Sequence, residues 1–140
     1  MRREYRGNAR RTQLSQALGG TNTDLTIVCD DLSNYPTGAG GRNFFIVIGR
    51  NTPVEEKILC SSRNNNVLTV FSNGLNTGRG ADETAIIAHS IGETVEHVFT
   101  ATDADEANAF VNGGNANYYQ TSAPTGVYAG DIWVDSDATA

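Results

Sequence analysis

The sequence predicts a mainly β protein: a small β-barrel or sandwich of five or six strands with an extended N-terminal arm and a short C-terminal helix. The 15 glycines and the many Asn and Thr residues are typical of strands joined by frequent turns. Residues 44–48 are continuously apolar, whereas residues 102–106 carry helix-start signals. A length of 140 residues fits one domain. We therefore divide the chain into a basic arm (1–24), a β core (25–101) and a helix followed by an extended connector (102–140).

The arm is the most basic part of the chain. Its first eleven residues hold five arginines and one glutamate, which gives a charge of +4. Its few apolar side chains do not offset the entropy cost of ordering the segment. We therefore predict that it docks on an acidic or groove-like surface of another protein. A short helix over 9–18 is compatible with these residues but has little to bury. A solvated tail and a contact with packaged genome are the alternatives. The predicted docking residues are Arg2, Arg3, Tyr5, Arg6, Arg10, Arg11, Leu14 and Leu18.

The remainder of the chain is acidic, because it holds five basic and fifteen acidic residues and so has a charge of −10. Such a body repels a nucleic-acid backbone, and we expect no nucleic-acid partner. No apolar stretch approaches the ~20 residues that span a bilayer. The arginine-rich start lacks the apolar segment of a signal peptide. We expect a soluble protein without a membrane contact.

The β core is predicted from periodicity and turn residues. Apolar residues alternate with polar ones in the first strand, whereas the continuous run from Phe44 to Ile48 indicates a strand buried on both faces. Asn tolerates the left-handed conformation of tight turns, so Arg63–Asn66 predicts a hairpin. The predicted strands cover residues 25–29, 44–48, 55–61, 67–71 and 94–99.

Residues 72–84 contain three glycines and many other turn formers. The segment is longer than a plain reversal needs, which predicts an excursion from the sheet and a candidate contact loop. Its candidate contact residues are Asn73, Asn76, Arg79, Asp82 and Glu83.

The C-terminal part begins with the predicted helix, which should end at Gly113-Gly114 because glycine terminates helices. The connector that follows carries Trp133, which needs a neighbouring surface to cover its indole.

The residues that could carry chemistry favour structural roles. His89 and His97 are eight residues apart without a third ligand nearby, so hydrogen bonds are favoured over a metal site or a general base. Cys29 and Cys60 lie in apolar runs, which favours buried thiols over a disulfide. Acidic pairs suited to glycoside hydrolysis are better explained as loop and helix-start residues. We predict no catalytic residue, no metal and no cofactor.

Several stretches resemble the N-terminal attachment module of bacteriophage tail-fibre and minor tail proteins. The resemblance covers roughly residues 2–112 and is carried by residues 3–9, 35–41, 44–48, 55–59, 103–109 and, above all, 88–98 (AHSIGETVEHV). Residues 130–137 resemble the neck segments of tail fibres. Residues 72–84 depart from the family pattern in length and composition.

The resemblance implies a non-enzymatic virion structural protein, assembled in the host cytoplasm, that anchors a fibre-like appendage or acts as an adaptor through its basic arm. It implies other virion proteins as partners, in the tail, near the portal or in the capsid, and a homotrimer. The alternatives are a head decoration protein and a host-glycan-binding module.

Overall fold

The computed structural model describes residues 3–116, with side chains described to residue 109. The predicted fold class is confirmed, because six antiparallel strands form one curled, half-barrel sheet. A compact unit ends at Asp103, and a second begins at Ala104. The elements are β1 (Thr12–Gln13), β2 (Thr26–Val28), a 3₁₀ turn (Ala39–Gly41), β3 (Phe44–Ile48), β4 (Glu56–Asn64), β5 (Val67–Val70), β6 (Thr94–His97) and α1 (Ala101–Ala116).

The centre of the sheet is β3, as predicted. All five of its residues are buried, and it pairs with β4 on one side and β6 on the other. The strand order is β1-β6-β3-β4-β5-β2. A run of apolar, largely β-branched and aromatic side chains suits a strand that is covered on both faces.

The predicted hairpin between β4 and β5 is also confirmed. Asn65 has φ 53°, within the left-handed region that Asn tolerates. The strand β4 extends to Asn64, beyond the predicted end at Ser61. The register shifts between Cys60 and Ser62, which places a β-bulge in the middle of β4.

The prediction that residues 1–24 form an arm with little to bury is wrong. Leu14 and Leu18 are buried members of the hydrophobic core, and the segment contains the strand β1. A bridge between Leu14 and Cys29 joins the two edges of the sheet. Two leucines are enough here, because both are almost fully covered and the backbone supplies ladder hydrogen bonds.

The prediction that residues 72–84 leave the sheet is wrong for the second half of the loop. Leu59 donates its N–H to the Gly78 carbonyl at 2.9 Å, and Ala81 donates to Lys57 at 2.8 Å. These bonds occupy the part of β4 that lies beyond the end of its pairing with β5. The loop tip does project, since Leu75 is 90% exposed.

The helix α1 begins one residue before its predicted start and continues past Gly113-Gly114, so the predicted stop is wrong. Thr100 and Asp103 exchange bonds across the first turn: Asp103 Oδ2 accepts from the Thr100 N–H at 2.9 Å, and Thr100 Oγ1 accepts from the Asp103 N–H at 3.2 Å. This is a capping box. No helix in the described part of the chain is long and apolar enough to cross a membrane. The predicted connector and Trp133 lie outside the described residues.

Candidate functional site

Two groups of polar side chains stand out. The first, here called the ionic cluster, consists of Glu56, Arg79, His89 and Glu93. The second, here called the N-terminal strap, consists of residues 3–6. The ionic cluster contains His89 and binds the backbone of Gly19, Thr21 and Asp24 in the predicted arm. The N-terminal strap is the start of that arm, and it contacts His97.

The centre of the ionic cluster is the buried pair of Arg79 and Glu56, whose side chains are both completely covered. Arg79 Nε donates to Glu56 Oε1 at 2.7 Å, and a second guanidinium nitrogen donates to Oε2 at 3.0 Å. This two-point contact matches the planar fork of the guanidinium to the carboxylate. The pair therefore has the geometry that a buried ion pair needs to offset its desolvation.

The rest of the Arg79 guanidinium binds backbone carbonyls. It donates to the carbonyl oxygens of Gly19, Thr21 and Asp24 at 3.0–3.1 Å and to that of Ile87 at 2.9 Å. Arg79 thus ties the loop that precedes β2 to the segment that precedes β6. Its prediction as an exposed contact residue is wrong, because its charge is satisfied inside the protein.

The Glu56 carboxylate also accepts the N–H of Gly80 at 2.9 Å. Burial alone would raise the pKa of this carboxyl, but hydrogen bonds from His89 and Arg79 and the Arg79 charge lower it to about 2. Glu56 is therefore an anion that stabilises the surrounding donors.

His89 lies between two carboxylates. Its Nε2 is 2.8 Å from Glu56 Oε2, and its Nδ1 is 3.0 Å from Glu93 Oε1. An ionised carboxylate only accepts hydrogen bonds, so both contacts are satisfied when the imidazole is protonated on both nitrogens. Burial lowers the pKa of His89, but the two carboxylates outweigh it and raise the pKa above its usual value. The predicted hydrogen-bonding role is confirmed.

The ionic cluster is closely connected to the rest of the protein. Its described hydrogen bonds run to backbone groups and to other members of the cluster. Among the described residues, no group of three or more His, Cys, Asp or Glu side chains is placed to hold a metal ion. Cys29 and Cys60 are buried free thiols, as predicted, and burial raises the pKa of Cys29 to about 12.

The N-terminal strap is fixed by Glu4, which is only 3% exposed. Its carboxylate accepts the Gly38 N–H at 2.9 Å, and its own N–H donates to the Asn43 carbonyl at 2.9 Å. Burial would raise the pKa of Glu4, but hydrogen bonds from the backbone of Gly38 and Thr37 lower it. Arg6 adds an ion pair at 3.2 Å.

His97 holds the other side of the strap. Its Nδ1 donates to the Phe45 carbonyl at 2.8 Å, and its Nε2 accepts the Arg6 N–H at 3.2 Å. This pattern requires the neutral ring with its proton on Nδ1. Burial lowers the pKa of His97, and the charges of Asp103 and Glu4 only partly oppose that shift. The Tyr5 ring packs against His97 and Phe99 at centroid distances of 6.0 and 5.7 Å.

Arg3 completes the strap. Its guanidinium lies 5.5 Å from the centre of the Phe45 ring, within the range of a cation–π interaction. Its Nε is 3.5 Å from Asp103 Oδ1. Arg3 therefore contacts both the central strand and the capping box at the start of α1.

The predicted docking residues are thus separated rather than gathered on one surface. Arg3, Tyr5 and Arg6 contact their own subunit, and Leu14 and Leu18 lie in the core. Arg10 and Arg11 are exposed, as a docking role requires. Arg2 lies outside the described residues.

The candidate contact loop is divided in the same way. At the tip, Asn73 and Asn76 are exposed, and the Asn73 side chain accepts the N–H of Asn76 at 2.7 Å. Asp82 instead accepts the N–H groups of Ala101 and Thr102 at 3.0 and 3.1 Å and so caps α1, while Glu83 is exposed.

Sequence reasoning missed Glu56 and Glu4 as buried anions. A signal for Glu56 exists, because it occupies the same alternating positions of β4 as the buried Ile58 and Cys60. An acidic residue on an apolar strand face requires a buried cation. No comparable periodicity marks Glu4, whose partners Gly38 and Asn43 lie more than thirty residues further along the chain.

Comparison of the chain with protein-family models matches no family, and comparison with curated proteins matches no relative.

Proposed function

We propose that this chain is a non-enzymatic structural part of a bacteriophage particle, a β-rich module that joins a fibre-like appendage to other virion proteins. The observation that carries the proposal is the resemblance of residues 88–98 to the attachment module of tail-fibre and minor tail proteins. The proposed site of action is the virion, and the proposed assembly is a homotrimer.

The placement of the resembling residues supports a shared framework. Residues 88–98 contain His89, Glu93 and the strand β6, and residues 55–59 contain Glu56. These are the elements that build the ionic cluster and one flank of the central strand. A resemblance in framework residues is what two modules of the same fold would share.

The chemistry of the site supports a structural role as well. Enzymes keep titratable groups within reach of a substrate, whereas the buried charges here bind backbone groups and one another. This arrangement stabilises a small body, which suits a structural part of a particle.

Fewer residues of the arm are available for docking than the sequence indicates. Arg10 and Arg11 are exposed and adjoin β1, the first strand of the sheet. Arginine pairs well with carboxylates in two-point contacts. We therefore propose that these two residues bind an acidic surface of a neighbouring virion protein.

The test is the double charge reversal Arg10→Glu and Arg11→Glu, followed by quantification of the chain in purified particles. Incorporation should fall at least tenfold, because two attractive contacts become repulsive. The matched control is Arg42→Glu, which reverses another exposed arginine. Thermal melting of each purified variant establishes that the body still folds.

Equal incorporation of the reversed and control variants would contradict the docking role of the arm. Mass measurement of the purified chain tests the trimer separately, since a monomer at all concentrations contradicts that part of the proposal. Failure of one test does not decide the other.

Host-glycan binding is the second candidate, favoured by the tip of the 72–84 loop. The tip is a fixed turn, since Asn73 donates its N–H to the Asn76 carbonyl at 3.1 Å and the adjoining Leu75 side chain is exposed. A glycan array probed with the purified chain tests this candidate. Binding that Asn76→Ala abolishes supports it, and no binding to any glycan contradicts it.

A further inference from the structure

The surface beneath the N-terminal strap has the features of a peptide-binding site. It offers the Gly38 N–H to the Glu4 carboxylate, the Asn43 carbonyl to the Glu4 N–H, and the His97 ring to the Arg6 N–H. Backbone bonds to an extended segment, combined with separate contacts for its side chains, are how protein surfaces recognise peptides.

Each side chain of the strap has its own contact on this surface. Arg3 faces Phe45 and Asp103, the Glu4 carboxylate is buried, and Tyr5 packs on His97 and Phe99. The surface therefore matches the order arginine, glutamate, aromatic residue and arginine. A segment in which the glutamate is replaced would leave the Gly38 N–H without its acceptor.

The linker between the strap and β1 is well suited to a change of path. Residues 7–11 are exposed apart from Ala9, which is half-buried, packs against the hydrophobic core and donates its N–H to the Arg6 carbonyl of the strap. The space around Gly7 is open, since an added Cβ would meet no atom within 4 Å. Redirecting this linker would disturb the core contact of one alanine side chain and leave the exposed residues around it without a loss of contact.

We propose that this surface is a peptide-binding site for the strap sequence, and that it takes the strap of a second copy of this chain when copies are held side by side. Exchange of an identical segment keeps every contact and changes only the subunit that supplies it, which is a low-cost route to association. The strap also has more basic than acidic residues, and the body that receives it is acidic.

The competition between the two arrangements is set by concentration. A strap on its own short linker has an effective concentration on the order of millimolar, so an isolated subunit binds its own strap. Neighbouring subunits in an oligomer reach a similar local concentration, so the strap of a neighbour then competes on equal terms with the subunit's own strap. The inference goes beyond the proposed function and is tested on purified chain alone, so that its failure is distinguishable from a failure to join particles.

The first experiment mixes two full-length variants, one with Tyr5→Cys and the other with Phe99→Cys, and treats them with a short bismaleimide crosslinker. A product that contains both variants must arise between chains. The native Cys29 and Cys60 interfere little, because both are buried. The matched control replaces Phe99→Cys with Leu75→Cys, which places the thiol on the exposed loop tip.

We expect the mixed product to increase with protein concentration and to exceed the control at least tenfold at millimolar concentration. A yield equal to that of the control at every concentration would overturn the proposal. Loss of folding in either variant is detected by thermal melting against the unsubstituted chain.

A second measurement keeps the proposal testable if a cysteine variant fails to fold. A fluorescent peptide of residues 2–8 is titrated with the full chain carrying Glu4→Ala, whose own strap is weakened. The peptide should bind this chain at least tenfold more tightly than the unsubstituted chain, and the same peptide with Glu4→Ala should not bind. Equal binding of the two peptides, or no binding of either, would overturn the proposal.

Discussion

The two halves of the basic N-terminal segment are held in the protein by different kinds of interaction. Residues 12–18 enter the fold through Leu14 and Leu18, and the Leu18 backbone exchanges two hydrogen bonds with that of His89 at 2.9 and 3.0 Å. Residues 3–6 lie at the C-terminal end of β6, where the Arg6 N–H bonds to the neutral ring of His97. One half is a part of the core, and the other is a ligand on its surface.

The two histidines show why the halves should respond differently. Burial lowers the pKa of both imidazoles, yet the carboxylate partners of His89 raise its pKa, while the carbonyl and N–H partners of His97 leave its pKa lowered. Partner chemistry, more than burial, therefore decides the charge of a covered histidine.

The largest expected effect is at the ionic cluster beside the core half. Glu56→Gln leaves the buried Arg79 without its anion, and removal of one partner of a buried ion pair costs about 3–5 kcal/mol. Urea unfolding followed by circular dichroism measures this loss. The matched control is Glu96→Gln, whose pair with Arg50 is partly exposed and should contribute less than about 1 kcal/mol. Similar losses in both variants would remove the distinction between the buried and the exposed pair.

The next largest effect tests whether residues 12–18 are part of the hydrophobic core. Leu14→Ala removes a buried side chain that adjoins the Leu14–Cys29 bridge, and such truncations cost about 2–5 kcal/mol. Leu75→Ala is the control, because an exposed leucine should change the free energy of unfolding by no more than about 0.5 kcal/mol. If Leu14→Ala lowers the free energy of unfolding by less than about 1 kcal/mol, residues 12–18 are held no more firmly than the strap.

A smaller effect is expected at the surface half. His97→Phe removes the acceptor of the Arg6 N–H and the donor to the Phe45 carbonyl, at a cost of about 1–3 kcal/mol. Hydrogen exchange should increase at residues 3–6 and stay unchanged at residues 12–18. Equal increases in the two halves would show that they open together.

The smallest expected effect is the pH dependence of stability that the two imidazole rings produce. The contribution of His89 is complete below its usual pKa of 6.5 and is lost as the pH rises through its raised folded value. The contribution of His97 is complete above 6.5 and is lost as the pH falls through its lowered folded value. Proton NMR of the imidazole Cε1–H groups should therefore show one ring that titrates above 6.5 and one below. His97→Gln identifies the second resonance, and two midpoints on the same side of 6.5 would contradict the comparison.

The free energy of unfolding should also decrease in acid, because the Glu56 carboxyl has a pKa of about 2. Its contribution is complete above the usual value of 4.5 and is lost as the pH falls towards 2. The ionic cluster as a whole is therefore most stabilising between about pH 4.5 and 6.5. Unfolding midpoints of the Glu56→Gln chain should show less of this acid dependence.

Local patterns predicted the elements whose signals lie within a few residues. Continuous apolar character identified β3, and the tolerance of Asn for positive φ identified the hairpin at Asn65. The same reasoning failed for the candidate contact loop, where Arg79 and Asp82 turned out to bind inside the protein. An arginine or an aspartate in a glycine-rich stretch carries no local sign of whether its partner is solvent or a distant residue.

The sequence by itself determined that this is a small β protein with an uneven distribution of charge, because periodicity, turn residues and charge are properties of neighbouring positions. Only the tertiary structure decided that Glu4 and Arg79 are buried and that Leu14 and Leu18 of the basic segment belong to the core. The physical reason is that a charge is buried only where several donors or acceptors converge on it. The residues that converge on Arg79 come from positions as far apart in the chain as Gly19 and Ile87.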